Sequence, residues 1–328
     1  MLVIFALQLL VPLVLLGWIA FAAPRSTLGF CIQFAATIAA LLAIGLTGLW
    51  LLPPWWWPWV CAGLLVIAVL HGWRERYPFN SRLPLGWLAW IFTSLFIAIG
   101  SWGIYQSTIA LAGRAPPPGA AVELATPLKG GTYLVVNGGS NLSVNAHLMT
   151  LDASMARFHA YRGQSYGVDI VKLDRWGLRA DGLLPPQPSA YGIYGEQVYA
   201  PCTGKVIAAL DGVPDMQVPQ MDRDHMAGNH VLLRCQQADV LLGHFKTGSL
   251  KVAVGDWVMV GVEIAEVGNS GNTGEPHLHI HAQQAGTVNE PFSGNPLPIQ
   301  LEGRFLVRND RISIPSSNAL SGRLPAPP

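Results

Sequence analysis

The sequence predicts a multi-domain chain: an N-terminal all-α transmembrane region of four helices, then a C-terminal all-β antiparallel domain. Three observations carry that prediction. Of the 328 residues, 51% are hydrophobic and only 12% are charged, whereas about 25% charged is usual in a soluble domain. The charge is unevenly spread, because residues 1–113 contain only Arg25, Arg74, Glu75, Arg76 and Arg82. Beyond that point short β-type runs alternate with Gly, Pro, Asn and Asp turns, the pattern of an antiparallel domain. The apolar first third and the formal net charge of +1 exclude a purely cytosolic enzyme, a disordered chain and a basic nucleic-acid binder.

The apolar stretches are residues 1–23, 28–52, 55–72 and 83–108. A bilayer core needs about 20 apolar residues per helix, which the third stretch only just supplies. Pro53, Pro54 and Pro58 turn the chain between the second and third, where Trp50, Trp55, Trp56, Trp57 and Trp59 form an interfacial aromatic belt. Arg25 falls between the first two spans, and Arg74, Arg76 and Arg82 between the last two. The positive-inside rule puts both loops in the cytoplasm. The expected location is therefore the cytoplasmic (inner) membrane, multi-pass, with the C-terminal domain periplasmic or extracellular. Residues 1–23 lack a basic n-region and precede three further spans, so they read as a span and not as a cleaved signal peptide. His71 and Glu75 read as a solvated helix end, and the helices as an anchor in the lipid bilayer.

The expected division is 1–110 for the helices, 111–121 for a linker, 122–300 for the β domain and 301–328 for a flexible tail. Residues 115–121 read APPPGAA, a stiff linker. Strand-like runs include Thr132–Val136, Gly167–Val171, Gly204–Ala209, His230–Arg234, Asp239–Leu242 and His277–His281, and no sustained helical period follows residue 114. The tail carries Pro315, Ser316, Ser317 and a final Pro-Ala-Pro-Pro. Cys31 and Cys61 lie in predicted spans. Cys202 and Cys235 lie in β-type runs of the exported domain, an oxidising setting in which a disulfide is expected.

Eight of the nine histidines lie beyond residue 140. In His277-Leu-His279-Ile-His281 the alternation places three imidazoles on one strand face, with Leu278 and Ile280 directed into the core. The surrounding Gly268-Asn-Ser-Gly-Asn-Thr-Gly-Glu-Pro-His-Leu-His279 resembles the G-x-S-G-x-T-x-x-P-H-L-H signature of lysostaphin-type zinc metallopeptidases, which cut the peptide part of bacterial peptidoglycan. Further segments resemble that family in order: Tyr166-Gly-Val-Asp169-Ile, Tyr194 through Val206 with its Ala-Pro-Cys-Thr-Gly turn, Gly228-Asn-His-Val231, Leu242-Gly-His244, and Val252-Ala-Val-Gly-Asp-Trp-Val-Met-Val-Gly261.

The resemblance implies a zinc ion held by one Asp and two His, with the fourth position open to water. Asp169 and His279 match two ligands, while His244 and His277 match the residues that activate water and stabilise the oxyanion. The family's first motif is H-x-x-x-D, and Ser165 stands where its His would be. A subgroup with Q-x-Y-[AG]-x-D and an upstream N-x-H is similar to Gln164-Ser-Tyr-Gly-Val-Asp169 and Asn145-Ala-His147, which makes His147 the first candidate for the third ligand. His159 is the next candidate, ahead of His230 and His225, and His281 reads as a supporting or surface residue. On this reading Ser165→Ala should do little.

The function implied is a membrane-anchored zinc metalloendopeptidase acting on peptidoglycan peptides, with possible cell-envelope protein partners and no nucleic acid. The alternative is a metal-free degenerate domain that binds or activates other wall hydrolases. A biotinyl/lipoyl-like carrier is disfavoured, because the turn at Asp256–Gly261 holds no lysine to modify.

Overall fold

A computed structural model describes residues 2–236, 238–287 and 289–315, in two units that divide after Ala112. The first unit is four helices: α1 (Leu2–Gly17), continued by a π-helical turn at Trp18–Ala22, then α2 (Thr27–Thr47), α3 (Trp57–Arg76) and α4 (Trp87–Ala112). All four are long and apolar enough to cross a membrane. Small residues let α2 and α4 approach closely: a Cβ on Gly103 would lie 2.6 Å from the Ala39 backbone. The one strongly polar core residue of α2, Gln33, accepts from Trp18 Nε1 at 2.7 Å.

Sequence analysis placed Arg74 and Arg76 in a loop; they form the last turn of α3 instead, where cations complement the helix dipole. Arg76 is buried there, donating to the carbonyls of Ala20, Gly72 and Ala23. Ala20 lies within the π-helical turn and Ala23 caps it, so the guanidinium satisfies backbone acceptors at an interrupted helix end.

In the second unit the strands are β1 (Val122–Leu124), β2 (Gly131–Asn137), β3 (Val168–Leu173), β4 (Gln197–Tyr199), β5 (Gly204–Leu210), β6 (Asn229–Arg234), β7 (Asp239–Phe245), β8 (Trp257–Val258), β9 (Glu263–Glu266), β10 (Leu278–Gln283), β11 (Pro296–Leu297), β12 (Ile299–Leu301) and β13 (Arg311–Ile314). The main sheet runs β13-β2-β3-β10-β7-β6-β5-β8, with β11 also on β10. A β4–β9 ladder stands apart from it, and β1 pairs with β12 in parallel, a departure from the otherwise antiparallel pattern. One sheet face buries Tyr133, Val135, Val168, Ile170, Val231, Leu233, Val240, Leu242, Leu278, Ile280 and Ala282 in a single apolar core. By the two-residue period of a strand, Asp169, His279 and His281 must face the other way.

Three departures from the sequence reading matter for the site. Short 3-10 segments occur at Ala146–Leu151 and Ala156–Tyr166, where no helix was expected. Residues 301–315 are not a flexible tail: β12 pairs with β1 and β13 with β2, while 316–328 lie outside the described residues. Linker residues are tied down as well, since Ser140 Oγ donates to the Ala115 carbonyl and Arg114 pairs with Asp310. Cys202 and Cys235 form the expected disulfide, joining the approach to β5 with the end of β6.

Candidate metal centre

Strand pairing sets the centre. His279 of β10 lies directly opposite Asp169 of β3 on one side and Gly243 of β7 on the other. Two bulges then bring further side chains onto the same face. β7 carries one extra residue opposite β6, between the pairs Asn229–Phe245 and Val231–Leu242. His244 absorbs it with φ +63°, so the alternation reverses: Phe245 enters the core and the His244 ring reaches the site. β2 is bulged at Val136, which sets Asn137 opposite Asp169.

His147 arrives from outside the sheet, on the 3-10 segment that follows the loop 138–145. Its Nε2 lies 3.3 Å from Asp169 Oδ2, and His279 Nδ1 lies 2.8 Å from Asp169 Oδ1. Among the described residues, His147, Asp169 and His279 form a group whose candidate ligand atoms all lie within 4.8 Å of one another. The hydrogen bonds fix tautomers. His147 Nδ1 faces two acceptors, Asn145 Oδ1 at 3.0 Å and the Gly167 carbonyl at 3.3 Å, so Nδ1 carries the proton and Nε2 offers its lone pair. His279 Nε2 lies 2.9 Å from His281 Nδ1, which leaves Nδ1 for a ligand role. One carboxylate and two imidazoles with outer nitrogens engaged are a donor set that fits zinc.

His277 and His244 stand beside this trio, their ring centroids 4.7 Å apart. His277 Nδ1 lies 2.9 Å from the Glu275 carbonyl, and His244 Nδ1 lies 2.9 Å from the Ser270 carbonyl. A carbonyl only accepts, so both rings hold the proton on Nδ1 and turn a basic Nε2 outward. His277 Nε2 sits 3.5 Å from Asp169 Oδ1.

Burial is the leading cause of the electrostatic shifts. It pushes His147 down to about 4, and holds His244 and His281 well below the ordinary imidazole value, with neighbouring imidazoles adding to the effect. For Asp169 burial acts upward, but His147, His277 and His279 together outweigh it and keep the carboxyl well below its usual range.

The other candidates fall outside the trio. The exposed ring of His159 bonds the Ala153 carbonyl, and that of His225 bonds Asp222. His230 is buried against Phe292, with its Nδ1 on the Gly228 carbonyl. His281 is not on the surface; it is buried and braces His279. Ser165 is fully buried, donating to the Arg162 carbonyl at 2.6 Å and sitting 2.8 Å from Thr150 Oγ1. Its hydroxyl thus contacts Thr150, on the segment that carries His147. Sequence reasoning missed Asn137, whose Nδ2 donates to Asp169 Oδ2 at 2.9 Å; only the bulge reveals it.

Residues 191–291 match peptidase family M23. The M23 match contains His244, His277 and His279 and begins after His147 and Asp169, which it does not include. Solved structures similar to the chain include the catalytic domain of the antimicrobial peptidase lysostaphin from Staphylococcus simulans, 23% identical over 38% of this chain and 71% of that one, with a TM-score of 0.25. A putative peptidase M23 from Pseudomonas aeruginosa is 18% identical over 54% of this chain and 53% of that one (TM-score 0.27). A zinc containing peptidase from Vibrio cholerae is 20% identical over 47% and 40% (TM-score 0.23). Among curated proteins no match was found.

Proposed function

We propose that the chain is a membrane-anchored zinc endopeptidase that hydrolyses peptide bonds of bacterial peptidoglycan. The observation that carries this reading is the convergence of His147, Asp169 and His279 on one point, with the basic nitrogens of His244 and His277 beside it. The M23 match over the second half of the site supports it. Asp169, His279 and His147 would hold the ion, which when bound supplies Lewis acidity to a scissile carbonyl and a lowered pKa to water. His277, its Nδ1–H held by the Glu275 carbonyl and its Nε2 a lone-pair acceptor 3.5 Å from Asp169 Oδ1, takes the proton of the attacking water and passes it to the leaving amine. His244, its Nδ1–H held by the Ser270 carbonyl, faces the site with a basic Nε2 beside His277 and shares in drawing the proton from the attacking water. The four helices anchor the domain in the cytoplasmic membrane with the catalytic unit outside. An oxidising compartment suits the Cys202–Cys235 bridge.

The test uses the full chain in detergent, with zinc measured by elemental analysis and turnover by release of peptide fragments from purified peptidoglycan. His147→Ala should lose both metal and turnover. His277→Ala should keep most of the metal and lose about 10²–10⁴ in rate, the usual worth of a general base. A wild-type chain that takes up no zinc under any loading condition overturns the reading.

A further inference from the structure

We propose that Arg308, from the segment between β12 and β13, completes the metal centre by positioning Asp169 through Asn137 and by fastening the loop that delivers His147. The inference rests on the zinc reading above. Arg308 Nη2 donates to Asn137 Oδ1 at 2.8 Å, and Asn137 Nδ2 donates to Asp169 Oδ2 at 2.9 Å. The guanidinium can only donate, so it forces the amide to present its oxygen to Arg308 and its NH2 group to the carboxylate. A flipped Asn137 would set donor against donor at one end and acceptor against carboxylate at the other. The Val136 bulge supplies the register for this relay, since it brings Asn137 opposite Asp169.

The same guanidinium spans the loop 138–145. Its Nε donates to the Val136 carbonyl at 3.0 Å and its Nη1 to the Ser143 carbonyl at 3.2 Å, one bond near each end. At the end of the loop, Asn145 Oδ1 accepts from the backbone N–H of His147 and lies against its Nδ1, while Asn137 Oδ1 accepts from Ala146 N at 3.4 Å. One side chain thus ties down the approaches to two of the three ligand residues. Burial lowers the Arg308 pKa to about 10, with Asp169 pulling it upward, so the group stays cationic at neutral pH. Lysine would not substitute, because an ammonium lacks the planar fork that reaches these acceptors in different directions. The backbone of the segment is fixed independently: Asn309 N and Asp310 O bond Val135, and β13 pairs with β2.

The test compares the full chain in detergent with Arg308→Met, Arg308→Lys, Asn137→Ala, the double variant Asn137→Ala/Arg308→Met, and the exposed control Arg304→Ala. Zinc affinity is read by competition with a chromophoric chelator, ligand geometry by the visible spectrum of the cobalt form, and folding by melting of the metal-free protein. Removing partners that orient metal ligands typically costs about 10–100-fold in affinity. Asn137→Ala and both Arg308 variants should lose that much and shift the cobalt spectrum, while Arg304→Ala matches wild type. The double variant should bind no more weakly than Arg308→Met, because the two residues act in series. Should Arg308→Met fail to fold, Asn137→Ala and Arg308→Lys decide the matter. Wild-type affinity and spectrum in those two, or additive losses in the double variant, overturn the relay while leaving the zinc reading intact. A wild-type chain that binds no zinc overturns both, and is recognised before any variant is made.

Discussion

Gly167 shows how little room the centre leaves at the level of one residue. A methyl group there would lie 2.8 Å from His279 Cε1 and from the Gln164 carbonyl, and 3.4 Å from His147 Nδ1. Gly167→Ala should therefore displace two ligand residues at once, weakening zinc binding about 10–100-fold while costing about 1–3 kcal/mol of stability through overpacking; titration of metal into the variant and a denaturant melt check the two parts. A second expectation concerns acid. The His147 value of about 4 lies below the ordinary 6.5, so between those limits the unfolded chain binds more protons than the folded one, and stability must fall as pH falls. His244, His281 and His230 are lowered in the same direction. The melting temperature of the metal-free protein should drop between about pH 6.5 and 4 by this linkage; a flat profile there would contradict the buried, neutral state of these rings. The alternating His strand was legible from side-chain chemistry alone, whereas Asp169 was singled out by the resemblance of its Tyr-Gly-Val-Asp segment to a family motif. Asn137 was not, since its place depends on a bulge that no residue type announces.

Among the elements, the strands were legible because alternation of apolar and polar residues is itself the physics of a half-buried sheet, as Leu278, Ile280 and Ala282 against His279 and His281 show. The 3-10 segments were not, being too short to establish a period. Nor was the bulge at His244, because a positive φ on a residue other than glycine leaves no compositional trace. The strand β13 was hidden by neighbouring proline and serine, which read as a tail. One loop contact carries a prediction of its own. Arg179, from the loop after β3, forms a buried ion pair with Glu275 at 2.9 Å, and the Glu275 carbonyl is the partner of His277 Nδ1. Arg179→Met would strand a carboxylate away from water, at a cost of about 3–5 kcal/mol, whereas Arg179→Met/Glu275→Met should recover much of it. Denaturant midpoints of the single and double variants test this, and equal losses would show that the pair is not the anchor of that loop.

At the scale of the whole molecule, four helices long and apolar enough to span a membrane precede the β unit, and the division was legible because charge is so scarce before residue 113. By the proposed orientation the arginines at 25, 74, 76 and 82 lie on the cytoplasmic side, so reporters fused at residues 80 and 118 should read as opposite sides of the membrane; the same reading at both would refute the orientation. The β unit itself is assembled from distant parts of the chain, with β13 seated at the sheet edge beside β2 and Arg308 following every other side chain of the centre in sequence order. A polypeptide made and translocated from its amino end thus delivers the anchor first, the ligands next and the guanidinium last. On the proposed orientation, the centre would be finished only after nearly all of the described β unit had been made and had crossed the bilayer. On the proposed function and orientation, chain order alone would then serve as a safeguard in time, keeping the nascent chain inert until it reaches the side where the proposed substrate lies.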